Sequence, residues 1–159
     1  LRARYPVAMG YVDAAARAGE RGDVVSSVLG RTCPPPGASW DAVHIGRQQD
    51  ATAAERKRAD RLAGDRGRFT RNFVVQASAA DWAAVWLAGL RTTLAGVPGA
   101  ELVFFLHDEL IVHAPTPAAG EVAGLIERAA EDARRLVFPG SAVQTPVRPV
   151  VVDRYADAK

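Results

Sequence analysis

The 159-residue chain has 20 basic against 18 acidic residues and is 48% hydrophobic, which suits one globular domain with a real core and excludes a disordered chain. Its apolar runs stop short of the ~20 residues a membrane helix needs, and its start, LRARYPVAMG, has no apolar signal core, so no membrane role is expected. The lone Cys33 excludes an internal disulfide and a Cys-based zinc site and points to a reducing cytoplasm.

A first helix is expected over residues 6–21. Pro6 suits a first helical position, Val7, Tyr11, Ala15 and Ala18 follow at helical spacing, and Gly22 closes the end. DVVSSVLGR then reads as a strand, Val24 to Leu29, with a turn at Gly30. CPPPG breaks regular structure, and residues 37–53 read as surface loop. A polar helix is expected from about Thr52 to Leu62, so residues 34–66 together form a loop and a polar helix, ended by GDRG. Helical pattern resumes at Arg68, and Ala79, Trp82, Ala83, Trp86, Leu87, Leu90 and Leu94 form the strongest apolar stripe of the chain. Leu102–Leu106 and Leu110–Val112 read as two buried strands of a hairpin with His107, Asp108 and Glu109 at its tip. Thr116-Pro117 opens a helix striped by Val122, Leu125, Ile126, Ala129, Ala133, Leu136 and Val137, and FPGS ends it. VRPVVVD is a last strand, placed at an edge by Pro149. The fold class is therefore α+β, an antiparallel sheet with helices packed on one face.

Two constellations carry chemistry. At the hairpin tip, three ionisable residues stand where turns favour Gly, Asn, Pro or Ser. Asp108 and Glu109 are hard oxygen donors that suit Mg²⁺, which takes one or two protein carboxylates besides water and phosphate oxygens. His107 can donate to a phosphate. From the residues alone, a solvated hairpin tip accounts for them equally well. The second constellation is RFTRNFVVQASAAD, in which Arg68, Asn72 and Gln76 share a helix face. These side-chain types bond phosphates, sugars and minor-groove acceptors, although a plain solvated face has the same spacing. Upstream, Arg56, Lys57, Arg58, Arg61, Arg66, Arg68 and Arg71 stand against three acidic residues and are suited to tracking phosphates. Arg supplies 18 of the 20 basic residues, an excess for which a GC-rich genome is the plainer cause. Walker, HExxH and GxSxG patterns are absent, and no ligand cluster of a metal-dependent hydrolase is found.

In this order, RNFVVQASAAD and LVFFLHDELIVHAP resemble the C-terminal third of the polymerase domain of family A DNA polymerases, the bacterial DNA polymerase I family. The upstream RYPVAMGYVDAAARAGERGDVVSSVLGR is similar to the same family, so the resemblance spans roughly Tyr5 to Val152. SSVLGRTCPPP and the closing VVDRYADAK look closest to the actinobacterial branch of bifunctional 3′-5′ exonuclease and DNA polymerases. Three departures stand out: Ala77 replaces the usual Gly after the motif glutamine, the 34–66 connection is longer, and Tyr155 lies near the place of a C-terminal tryptophan.

The resemblance implies that residues 1–159 are the C-terminal palm-and-fingers segment of a bacterial, cytoplasmic, DNA-directed DNA polymerase. Asp108 would be one of two palm carboxylates holding two Mg²⁺ ions, with the second carboxylate upstream of this chain. His107 would lie near the primer's terminal nucleotide, and Glu109 would support the metal site. Arg68, Asn72 and Gln76 would contact primer–template DNA, while an upstream fingers helix would grip the deoxynucleoside triphosphate. The implied partners are primer–template DNA, deoxynucleoside triphosphates and the rest of the polymerase chain. A non-catalytic duplex-DNA-binding module derived from a polymerase is the alternative. Because the first residue is Leu and the upstream elements are missing, the chain is expected to be a piece of a longer protein, inactive alone.

Overall fold

In a computed structural model, residues 2–158 are described. The described residues are α+β, with four α-helices and one two-stranded antiparallel sheet, and the chain divides into two compact units, Leu1–Ala79 and Ala80–Lys159.

Helix α1, Pro6–Arg21, forms where the proline start and glycine stop place it. Gly22 takes the left-handed conformation at φ 92°, and its N–H donates to the Gly19 carbonyl while that of Asp23 donates to Ala18. The strand expected at Val24–Leu29 does not form. Only an isolated bridge joins Ser26 to Thr32, across a turn at Gly30. A strand needs a neighbouring strand to satisfy its N–H and C=O groups in a ladder, and here the Val28 N–H instead donates to the Ser78 hydroxyl on the next long helix at 3.1 Å. The expected loop 37–53 is also corrected, because a 3₁₀ turn at Ala38–Trp40 leads into helix α2, Asp41–Gly46.

Helix α3 runs unbroken over Ala53–Leu94 and supplies residues to both units. Its start is a capping box. The Glu55 N–H donates to Thr52 Oγ1 at 3.2 Å, and Glu55 Oε2 accepts from the Thr52 N–H at 2.7 Å. The break expected at GDRG is absent. A glycine inside a helix costs about 1 kcal/mol against alanine, but a Cβ at Gly67 would meet Glu20 Cγ at 2.8 Å and the Ala16 carbonyl at 3.0 Å. The glycine lets α1 approach α3 closely, and the burial gained there offsets its propensity. Thr70 is fully buried in the same place and donates its hydroxyl to the Ala15 carbonyl at 2.8 Å. Part of α3, of mean hydropathy 1.3, is long and apolar enough by length and composition to cross a membrane, and 33% of that window is buried.

The second unit has its core between the C-terminal part of α3 and helix α4, Ala119–Val137. Trp86, Leu90 and Leu94 pack there with Val122, Ile126, Ala130 and Ala133. Trp82 and Trp86 stack at 5.1 Å, and their indole N–H groups donate to the carbonyls of Ala130 and Ile126. Strands β1, Glu101–Leu106, and β2, Glu109–His113, form the hairpin. The expected last strand at VRPVVVD is not present. Residues 142–152 have no ladder partner, and Pro146 and Pro149 lack the N–H a ladder requires.

Candidate functional site: the hairpin tip and an exposed helix face

The tip is built by a two-residue turn. Leu106 pairs with Glu109, which leaves His107 and Asp108 to reverse the chain. His107 has φ 55°, the single positive value at a non-glycine position among the described residues. Short hairpins need left-handed backbone in the turn to match the twist of their strands, and glycine usually provides it. Histidine accepts this conformation more readily than most residues. The absence of the usual turn residues is thus resolved by placing His107 in strained backbone.

A β-bulge lies further along β1, where Val103 is the extra residue between the pairs Leu102–Val112 and Phe104–Ile111. Partners across a ladder share a face, so the bulge puts Phe105, paired with Leu110, on the same face as Leu102. Leu102, Leu110 and Val112 pack against the core of the second unit. The expectation of two buried strands is corrected: Leu110, Ile111 and Val112 are only half-buried, and Val103, Phe104, Phe105 and Leu106 are all exposed, from 39% to 55%. The sheet has two strands among the described residues, so no third strand covers its outer face.

His107, Asp108 and Glu109 are exposed side by side at this tip. Glu109 has a partner that the sequence reading left without a role, because the Tyr155 hydroxyl donates to Glu109 Oε2 at 3.3 Å across 46 residues of chain. Among the described residues, no group of three His, Cys, Asp or Glu side chains converges, so the tip presents its carboxylates singly. Two shallow cavities, of about 310 Å³ beside Glu127 and Arg148 and about 170 Å³ beside Val85 and Arg128, include none of the expected site residues.

Arg68, Asn72 and Gln76 lie on α3 in the first unit, all exposed, as their spacing requires. Arg68 pairs with Asp65 one turn before it. The buried side of the same stretch is Ala63, Gly67, Thr70, Val74 and Ala77. Ala77, where the resembled family usually has glycine, is 6% exposed inside helix α3. Lys57 and Arg61 continue the polar row on the N-terminal side. Their spacing to Arg68 holds the helical period, but the expected break at GDRG concealed it.

No protein-family model matches this chain, and no curated protein matches it.

Proposed function

We propose that this chain is the C-terminal palm-and-fingers segment of a family A DNA polymerase, which extends a primer by template-directed nucleotidyl transfer in the bacterial cytoplasm. The observation that carries the reading is Asp108, an exposed carboxylate held at a two-residue turn between paired strands, flanked by His107 and Glu109. A tip of this kind gives a ligand a rigid base while leaving it open to a substrate. In the reaction the primer 3′-hydroxyl attacks the α-phosphate of a deoxynucleoside triphosphate, and pyrophosphate leaves.

The donor set fits Mg²⁺. Asp108 and Glu109 are hard, exposed oxygen donors, and this ion takes few protein ligands and completes its shell with water and phosphate oxygens. Bound ions supply positive charge against the charge that develops on the phosphoryl oxygens. Asp108 would hold the ions together with a second carboxylate from outside this chain. Glu109, oriented by Tyr155, would keep the metal site in place, and His107 would donate to the terminal nucleotide of the primer. Asn72 and Gln76 would bond primer and template near the growing end, with Arg68 on a phosphate.

The assay is primer extension by the complete polymerase carrying Asp108→Asn. The amide keeps the shape of the side chain but lacks the charge the ions need, so nucleotide addition should be lost while thermal stability is retained. Near-normal extension would remove Asp108 from the chemistry. A non-catalytic duplex-binding module is the second reading, favoured by the cationic face of α3, which needs no metal. A strand-and-aspartate motif in the reading frame upstream of this chain would decide for the polymerase, and its absence for the module.

A further inference from the structure

We infer that the outward face of α3 from Lys57 to Gln76 is one continuous track for a nucleic-acid backbone, cationic in its N-terminal part and amide-bearing in its C-terminal part, with Asp65 competing for its central arginine. The inference rests on the DNA-binding part of the proposed function and not on its chemistry.

The seven basic residues of this segment do not act alike. Arg56 donates to the Gln49 carbonyl at 3.1 Å. Arg66 turns inward, donates to the Pro34 carbonyl at 2.6 Å and lies 5.0 Å from the Phe69 ring centroid. Arg71 is half-buried. Lys57, Arg58, Arg61 and Arg68 remain exposed, and the first three make no ion pair among the described residues.

Because α3 is unbroken, the position of each follows from the helical repeat. At 3.6 residues per turn, Lys57, Arg58, Arg61, Arg68, Asn72 and Gln76 fall within about 100° of arc. The row from Lys57 to Gln76 is about 28 Å long at a rise of 1.5 Å per residue, a length that faces about eight base pairs of B-form duplex. Glu55 and Asp60 lie outside this arc. Asp65 lies within it and is paired with Arg68. Four cations therefore face one carboxylate, which leaves an uncompensated positive strip.

A polyanion is the partner such a strip selects, and a nucleic acid fits it better than a membrane. A surface-lying membrane helix directs an apolar face into the lipid, whereas the apolar side of this segment is buried within its own unit at Ala63, Val74 and Ala77. The outward row ends in Asn72 and Gln76, side chains suited to sugars and base edges. Val75 within the row and Phe69 at its edge are the large apolar side chains exposed along this stretch.

The test is binding of the 159-residue chain to labelled duplex DNA over a salt series. Each phosphate contact adds about 0.9 to the slope of log K against log salt. Lys57→Ala and Arg61→Ala should each flatten the slope by about that amount, and the pair by about 1.8, whereas Arg61→Lys retains it. Asn72→Ala and Gln76→Ala should weaken binding without changing the slope. Asp65→Asn, which releases Arg68, should tighten binding. All these positions are exposed, so the far-ultraviolet dichroism of each variant should match the parent. An unchanged slope in the Lys57→Ala, Arg61→Ala double variant overturns the inference, as does failure of the parent chain to bind duplex at low salt. Preferential binding to phosphatidylserine vesicles over duplex also overturns it. Loss of extension in Asp108→Asn tests the chemistry separately, so the track can stand where the polymerase reading falls.

Discussion

Trp86 on α3 donates its indole N–H to the main-chain carbonyl of Ile126 on α4 at 3.2 Å. One turn along both helices, Trp82 makes the same contact with Ala130 at 3.4 Å. The paired contacts set the register of the two helices in the second unit, because an indole that slid along α4 would leave its N–H buried without an acceptor. Trp86 is 2% exposed and half of a stacked pair. Trp86→Ala should therefore cost about 3–5 kcal/mol in urea unfolding. Trp86→Phe should cost less, since it keeps most of the packing and loses the hydrogen bond. A loss below about 1 kcal/mol for the alanine variant would show that the unit does not depend on this contact.

His107 holds a left-handed conformation at the hairpin turn. For an L-residue with a side chain this costs roughly 1–2 kcal/mol, which glycine does not incur. His107→Gly should thus leave the hairpin as stable or more stable by up to about 1 kcal/mol, while His107→Ala retains the strain. Amide exchange of the β1–β2 ladder reads the difference directly. Faster exchange in the glycine variant than in the alanine variant would contradict the strain assignment. If the histidine also serves the primer end, His107→Gly in the complete polymerase should lower extension despite its intact fold.

Two carboxylates make stability depend on acid. Hydrogen bonds from Arg134 and then Arg135 hold Glu131 down to about 2, from an ordinary 4.5. The Thr52 hydroxyl and N–H likewise lower Glu55. A group lowered in the folded state binds its proton first in the unfolded chain, so its stabilising effect is full above the unfolded value. It is lost as pH falls through the folded value, which for Glu131 is the window from about 4.5 to about 2. Glu131→Gln should flatten the stability–pH curve in that window and lower the neutral plateau by a matching amount, because the ionised group's contribution is what acid removes, and Arg134 is only 12% exposed beside it. Thr52→Ala should cost about 1 kcal/mol through the lost cap. Unaltered acid dependence in Glu131→Gln, followed by thermal melts, would remove the Arg134 and Arg135 contacts as its cause.

Asn72 and Gln76 are exposed on α3, so alanine at either position should leave the melting temperature almost unchanged. On the proposed polymerase reading, each replacement in the full-length protein should weaken extension or primer-terminus binding by about 0.5–1.5 kcal/mol, the usual worth of one neutral hydrogen bond. A fallen melting temperature with normal activity per folded molecule would make both of them helix residues only.

Alone, the 159-residue chain should add no nucleotides in Mg²⁺, since a metal pair about 3.5–4 Å apart needs carboxylates beyond the Asp108 tip. It should also self-associate. The sheet has two strands, and its first strand exposes Val103, Phe104, Phe105 and Leu106 in succession, the kind of surface on which chains aggregate. Light scattering reads this, and Phe104→Lys should reduce it. Template-directed extension by the chain alone would mean that the active site has been misplaced.

The sequence by itself determined the elements whose signals are local. Pro6 and Gly22 bound α1, the FPGS break closes α4, and two apolar runs around His-Asp-Glu specify the hairpin and its polar tip, because capping, periodicity and turn length act over a few residues. Tertiary structure decided what depends on a distant partner. GDRG stays helical because Gly67 admits α1, a gain visible only once the two helices meet. Val24–Leu29 and VRPVVVD have strand-forming side chains, but a ladder requires a neighbour and neither segment finds one. Phe104 and Leu106 read as buried from their composition, and they are exposed because burial is a property of what covers a strand. The same logic divides the candidate site. Side-chain type and spacing named Asp108 and the row Arg68, Asn72 and Gln76, whereas the Tyr155 hydroxyl on Glu109 and the extension of the row to Lys57 arise only when the chain is folded.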